Sequence, residues 1–274
     1  MAGHQRGQAM ASRDLEFIQE FLRRNWDYVL EKYRDKGRLT VTSKAEPADL
    51  LTEVDLTIQK RFSDAVAERF PTDLVVGEEG DLGKVPTNPK GRVWVIDPID
   101  GTYNFVRGMN PMFGISIALV VDGLARAAGV AFPIGGQVFL ADQGEGSFCN
   151  GRPLRVSDVQ HLAESCVEID FSGAEDKRAF LGRATGVIRQ TGQIRCQGSA
   201  VGGICQIATG DVDGYLHMSL KPWDYAAAQL IAEEAGAVAT RLDGSPLRVF
   251  DGREGVLISN GAVHEALLGC ITHP

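Results

Sequence analysis

Two carboxylates three residues apart, Asp97 and Asp100, close an apolar run in Val93-Trp94-Val95-Ile96-Asp97-Pro98-Ile99-Asp100-Gly101-Thr102. Held together at the end of a buried strand, they would repel each other unless a cation lay between them. A hard divalent ion such as magnesium suits such a pair, because it takes oxygen ligands and keeps waters that an incoming phosphate can displace. Pro98 fixes its own φ and stiffens the turn between the acids. Gly101 permits close backbone approach, and Thr102 can open a short helix whose first N–H groups would cradle a phosphate. An Asp-Pro turn with a helix cap would explain the Asp-Pro step alone; the whole string in its strand context favours the metal reading.

Three more acidic elements stand elsewhere in the chain. Gly77-Glu78-Glu79-Gly80 also ends an apolar run, where paired glutamates would by themselves read as a solvated rim. In Lys221-Pro222-Trp223-Asp224-Tyr225-Ala226-Ala227-Ala228, Asp224 stands where a helix begins. An ordinary N-cap, worth about 1 kcal/mol, accounts for it, while the small alanines imply a helix packed tightly against something. The segment from Lys44 to Asp55 ends on an acid that could cap a helix, orient an attacking water, or do both.

The elements that must carry these residues follow from hydrophobic periodicity. Leu15, Ile18, Leu22, Trp26 and Val29 recur at helical spacing between Asp14 and Lys32, and a second helix is expected from Asp55 to Phe70, stopped by Pro71. Short apolar runs at Asp73–Gly77 and Arg92–Ile96 read as strands. Phe113–Val121 and Leu124–Phe132 flank Asp122-Gly123, a strong hairpin signal, and Gln137–Ala141 continues the meander into a Gly-rich connection. Beyond Ser157 strands and helices alternate, with strands near 165–170, 193–196, 214–218 and 255–259 and helices near 175–185, 202–208, 224–235 and at the C-terminus. The expected class is α/β with α+β character, helices layered on sheets. Residues 1–13 read as a frayed tail and 14–274 as one domain, an α+β metal-binding half (14–155) followed by an α/β half (156–274).

The apolar fraction of 44% supports a sizeable core, and the net charge of −8, with no basic block, argues against a nucleic-acid partner. No apolar stretch is long enough to suggest a membrane span. The five cysteines are scattered, without a CxxC or Cys/His cluster, so neither a zinc site nor a disulfide framework is indicated, and the cytoplasm is the simplest compartment.

At the acidic elements the chain resembles the inositol monophosphatase family, within the lithium-sensitive, metal-dependent phosphatase superfamily. The likeness runs from about Lys44 to the C-terminal helix and includes the GEE element, DPIDGT with Asn104-Phe105, the Gly146–Gly151 turn, and PWD followed by alanines. It implies the layered αβαβα sandwich of the inositol monophosphatase and fructose-1,6-bisphosphatase type, a homodimer, and two to three Mg²⁺ ions per site. By resemblance, Glu78, Asp97 and the carbonyl of Ile99 hold the first ion, Asp97, Asp100 and Asp224 hold the second, and Glu78 helps recruit a third. Thr102 and Asp55 orient the nucleophilic water, the N–H groups of Gly101 and Thr102 bind phosphate, and Lys44 and Glu79 support the site. Asp100, Gly198, Ser199, Ala200 and His217 face the substrate.

Two positions depart from the family's pattern. His217 stands where inositol-selective relatives carry a glutamate; it could merely lie near the site, donate to a hydroxyl, or pair with a second anionic group, especially near pH 6.5 where it titrates. Tyr103 replaces a threonine. The implied activity is hydrolysis of a small phosphorylated metabolite, inositol monophosphate first, with histidinol phosphate, 3′-phosphoadenosine 5′-phosphate and fructose 1,6-bisphosphate as competitors. A non-catalytic binding or regulatory module is the contrasting class, and the complete set of metal carboxylates argues against it.

Overall fold

The computed structural model describes residues 12–272 apart from 45, 88, 110, 172–173 and 251–253, and does not describe the side chains of 174–181, 254 and 272. The expected tail therefore lies almost wholly outside the described residues. Helix α1 (Arg13–Arg34) begins where Ser12 accepts a hydrogen bond from the Leu15 N–H, with Asp14 and Glu16 in the first turn and Lys32 and Arg34 in the last, charges that suit the helix dipole. A small hairpin, β1 (Val41–Ser43) and β2 (Leu50–Thr52), leads into α2 (Glu53–Arg69). The chain then passes through β3 (Leu74–Gly77), β4 (Arg92–Asp100) and the short α3 (Thr102–Arg107). A meander follows, β5 (Gly114–Val121), β6 (Leu124–Phe132), β7 (Gln137–Asp142), β8 (Gly146–Cys149) and β9 (Arg152–Pro153).

The second half runs β10 (Cys166–Ile169), α4 (Ala174–Gln190), β11 (Gln193–Arg195), α5 (Ala200–Thr209), β12 (Gly214–Leu220), α6 (Pro222–Glu234), β13 (Val238–Arg241), β14 (Glu254–Ser259) and α7 (His264–Thr272). Among the described residues these strands form, besides the hairpin, a seven-stranded sheet ordered β3-β4-β5-β6-β7-β8-β9 and a five-stranded sheet ordered β11-β10-β12-β14-β13.

Side-chain alternation along the strands builds the layers. On β4, Trp94 and Ile96 pack with α1 and α2 through Phe17, Leu22, Ile58 and Phe62. Val93 and Val95, on the other face, pack with α5, α6 and the inner face of the smaller sheet, which offers Tyr215, Val256 and Ile258. Leu216 and Leu257 point the opposite way, onto α4 and α7. The order helix, sheet, helix, sheet, helix is the expected five-layer sandwich. In it α6 lies against β5, β6 and β4 of the first half. No helix among the described residues is long and apolar enough to cross a membrane.

Candidate active site

Asp97 and Asp100 reach one site because β4 is irregular. In a regular strand residues three apart face opposite sides. Here the pairing of β4 with β5 is regular to Asp97–Ser116 and then shifts before Asp100–Gly114. Pro98, which has no N–H to give to a ladder, lies inside that shift. Such a bulge re-aims a side chain. The strand thus continues four residues past the expected end at Ile96, and both acids are buried, at 2% and 6% exposure. Gly101 then takes a left-handed conformation, φ +77°, and a Cβ there would meet the Met112 carbonyl at 2.7 Å. Any larger residue would displace the turn that starts α3.

The other acids arrive from separate elements. Glu78 and Glu79 follow β3, the neighbour of β4. Gln59 of α2 fastens Glu79 by its backbone, its Oε1 accepting from the Glu79 N–H at 2.9 Å and its Nε2 donating to the Glu79 carbonyl at 2.7 Å. Lys44, beyond β1, donates from Nζ to both glutamates at 2.6 Å. Asp55 forms a capping box with Thr52 at the start of α2, and the Thr102 hydroxyl stands 3.4 Å from its Oδ1 and 2.8 Å from the Ile99 carbonyl. At the start of α6, Asp224 accepts from the Lys221 N–H at 2.7 Å. Both acids are thus the third residue of their helix, with Thr52 and Lys221 at the N-cap, where the sequence suggested that Asp224 itself would be the cap.

Electrostatics tie these groups into one cluster. Burial, then the charges of Glu78, Asp100, Asp224 and Asp55, pushes Asp97 well above the usual carboxylate range. Burial likewise raises Asp100, opposed by the Ser199 hydroxyl that donates to it. Asp224 is pushed up to about 7 by burial and Glu78, Glu79 to about 7 by the same two causes, and Asp55 to about 6 by burial against the Thr52 hydrogen bond. Burial would lower Lys44, but Glu78 and Glu79 outweigh it and hold its ammonium charged.

Among the described residues, no three Asp, Glu, His or Cys side chains converge tightly enough to form a preformed cage. The carboxylates are instead engaged by Lys44, Ser199 and backbone N–H groups. The donor set nevertheless fits a hard cation: Asp97 Oδ1 is buried with no hydrogen-bond partner among the described residues, and the carboxyls of Glu78, Asp100, Asp224 and Asp55 are near enough to act on it. An uncompensated buried carboxylate is costly, and a divalent ion inverts that cost.

Of the residues expected to face the substrate, Asp100 ends β4 and the others lie in the second half. Gly198 and Ser199 precede α5, and Ala200 begins it. His217 lies on β12. It is 3% exposed, its Nδ1 accepts from the Ser219 N–H at 3.0 Å, and burial lowers its pKa to about 4. The ring is therefore neutral near pH 6.5 and presents Nε2–H as a donor, not a cation for a second anionic group. A folded pKa below the unfolded 6.5 makes stability complete above pH 6.5 and lost as pH falls toward 4. His217→Asn should flatten the decline of the urea midpoint across that window; an unchanged slope would refute the neutral, buried ring. Tyr103 lies exposed, with Arg107 over its ring at 5.8 Å.

Asn104 has no role that the sequence assigns, yet it joins the two halves. Its buried amide donates to the carbonyls of Met112 at 2.8 Å, Gln197 at 2.7 Å and Gly198 at 3.3 Å, linking α3 to the turn before α5. Asn104→Ala should cost about 1–3 kcal/mol, because three carbonyls lose a buried donor, measured as a fall in the urea midpoint; a midpoint within error of the parent would show the bridge is dispensable. Only its position beside DPIDGT could have marked it.

Comparison with known proteins follows the same lines. The family model described as "Inositol monophosphatase family" matches residues 13–273. The fructose-1,6-bisphosphatase/inositol-1-monophosphatase of Thermotoga maritima is 34% identical over 85% of this chain and 86% of its own. Phosphatase IMPL1, chloroplastic, of Arabidopsis thaliana is 34% identical over 81% of this chain, which spans 60% of that relative's length. The solved Thermotoga maritima IMPase superposes with a TM-score of 0.82 at 31% identity, covering 95% of this chain and 97% of that one. A structure of SaIMPase-II with inositol monophosphate bound matches at 0.79 and 27% identity over 93% of each chain.

Proposed function

The chain belongs to the inositol monophosphatase family and is a phosphatase of that superfamily, and we propose that it hydrolyses a small phosphate monoester, inositol monophosphate first, using two to three magnesium ions. The observation that carries this reading is Asp97, buried without a partner for Oδ1 and surrounded by Glu78, Asp100, Asp224 and Asp55. Glu78, Asp97, Asp100, Asp224 and the Ile99 carbonyl would hold the ions. Bound there, magnesium lowers the pKa of a coordinated water and stabilises the departing alkoxide of an in-line displacement.

The chain's own residues do the rest. Thr102 and Asp55 orient the attacking water and receive its proton. The N–H groups of Gly101 and Thr102 hold phosphate oxygens, and Lys44 and Glu79 keep Glu78 in place. Gly198, Ser199 and Ala200 line the leaving-group side with His217 as a neutral donor, a residue that suits a hydroxyl-bearing leaving group. Inositol monophosphate bound to the SaIMPase-II relative supports the substrate class. By family resemblance, and with no disulfide among the described residues, we read the protein as a cytoplasmic homodimer.

The test is phosphate release from inositol 1-phosphate, histidinol phosphate, 3′-phosphoadenosine 5′-phosphate and fructose 1,6-bisphosphate, each with Mg²⁺ and with EDTA. Magnesium-dependent turnover of inositol 1-phosphate above the others is expected. A different preferred monoester would replace the substrate and leave the chemistry standing, whereas turnover that survives EDTA would overturn the metal reading.

A further inference from the structure

Behind the substrate wall lies a second pair of acids that the metal chemistry does not use. Glu168 and Asp170 flank Ile169 at the end of β10. Residues two apart in extended chain face one side, so both carboxyls lie beneath the turn Cys196–Ser199 that precedes α5. Glu168 is fully buried and Asp170 is 6% exposed. Gly203 makes room for them: a Cβ there would lie 2.8 Å from Glu168 Cδ and 2.7 Å from the Tyr215 ring.

Burial, then the neighbouring Asp170 charge, raises Glu168 to about 7. Two ionised carboxylates have no donor between them, and Asp170 Oδ2 is buried without a hydrogen-bond partner among the described residues.

Both carboxyls accept hydrogen bonds from one turn. The Gln197 N–H donates to Glu168 Oε1 at 3.3 Å, and its side-chain amide donates to Oε2. The Gly198 N–H donates to Asp170 Oδ1 at 3.1 Å, and the Cys196 thiol donates to the same oxygen at 3.3 Å. From the outer side of that turn, the Ser199 hydroxyl donates to Asp100 and the Gln197 and Gly198 carbonyls accept from Asn104. Buried bonds of this kind from two acids to one turn hold that turn in a single geometry.

We propose that the Glu168–Asp170 carboxyl pair is a positioning element of the phosphatase site, fastening the Cys196–Ser199 turn to β10 so that Ser199 is set against Asp100 and the Gly198–Ala200 wall against the leaving group. The inference rests on the function proposed above for Asp100 and that wall. Neither acid touches the reacting atoms; they act through Ser199 and Gly198. Misplacing a metal ligand or a wall by about 1 Å costs roughly 10²-fold in rate, so the pair should be visible in kcat.

The experiment compares Glu168→Gln, Glu168→Ala and Glu168→Met with the parent, as full chains at saturating Mg²⁺, on inositol 1-phosphate and on p-nitrophenyl phosphate. Glu168→Gln keeps the shape of the side chain and one of the two oxygens that accept from Gln197, and should stay nearer the parent in kcat than Glu168→Met. Glu168→Ala should lose about 10- to 100-fold in kcat, more than any change in KM. Glu168→Met fills the same space without hydrogen bonds and carries the test if the alanine variant does not fold. Folded Glu168→Met with the parent's kcat would overturn the proposal, as would a Glu168→Gln as impaired as Glu168→Met. If the parent itself hydrolyses neither compound nor any other monoester, the fault lies with the proposed function instead.

Discussion

Asp97→Asn should fold and yet hydrolyse its substrate about 10³-fold more slowly, or worse, at saturating magnesium. Asp97 is the buried centre of the cluster, and its Oδ1 has no partner among the described residues. The amide keeps shape and one acceptor oxygen, but loses the charge and replaces the second oxygen with a donor that repels a cation. The fold should not suffer, because the parent's carboxylate is opposed by burial and by Glu78, Asp100, Asp224 and Asp55. Removing one of those charges relieves repulsion in the metal-free protein. Two measurements separate the effects: kcat/KM with Mg²⁺, and the urea midpoint with and without it. A ligand that binds only the native state raises the midpoint according to its affinity, so the parent should gain from Mg²⁺ and Asp97→Asn should gain much less. Full turnover in the variant at matched metal would remove Asp97 from the ion-binding set.

The same strand separates what is legible in the sequence from what is not. Apolar alternation and the Asp122-Gly123 turn place β4, β5 and β6 closely, since a buried strand and a two-residue hairpin are written locally. The bulge between Asp97 and Asp100 is not legible, because register is a property of two strands at once. The hairpin of β1 and β2 reads as a polar turn for a related reason: the β1 residues are all exposed, so no hydrophobic pattern betrays them. β13, with one exposed residue followed by half-buried ones, leaves no pattern either. The acids of the site are legible as types in a spacing; their partners are not. Gln59 holds Glu79 by two backbone bonds from 20 residues away, and Glu168 holds the turn at Gln197 from 29 away. Nothing local in a glutamine or a strand-end glutamate records such a contact. His217 shows the converse, a residue whose position is legible but whose charge state depends on burial that a sequence does not display.

Asp55→Asn should separate two duties that one side chain performs on different oxygens. Oδ2 accepts from the Thr52 N–H at 2.9 Å and from its hydroxyl, closing the cap of α2, and an amide oxygen at this third helical position can accept the same backbone bond. With its carbonyl oxygen in that role, the substituted side chain would turn its amide hydrogens toward Thr102, where Asp55 Oδ1 now offers an acceptor at 3.4 Å. The Thr102 hydroxyl has one proton to give. In this structure the nearer acceptor is the Ile99 carbonyl at 2.8 Å, a group the proposed function assigns to an ion; with that carbonyl so engaged, the hydroxyl is free to donate to Asp55 and to accept from the attacking water. An amide at position 55 cannot take that proton. We therefore expect kcat to fall by about 10²- to 10⁴-fold, the usual worth of a positioned base, with the urea midpoint nearly unchanged. Thr102→Val should fall comparably, and the double variant should fall little further, because residues acting as one unit are not additive. Losses that multiply would show two independent contributions, and an unimpaired Asp55→Asn would leave Asp55 as a helix cap and nothing more.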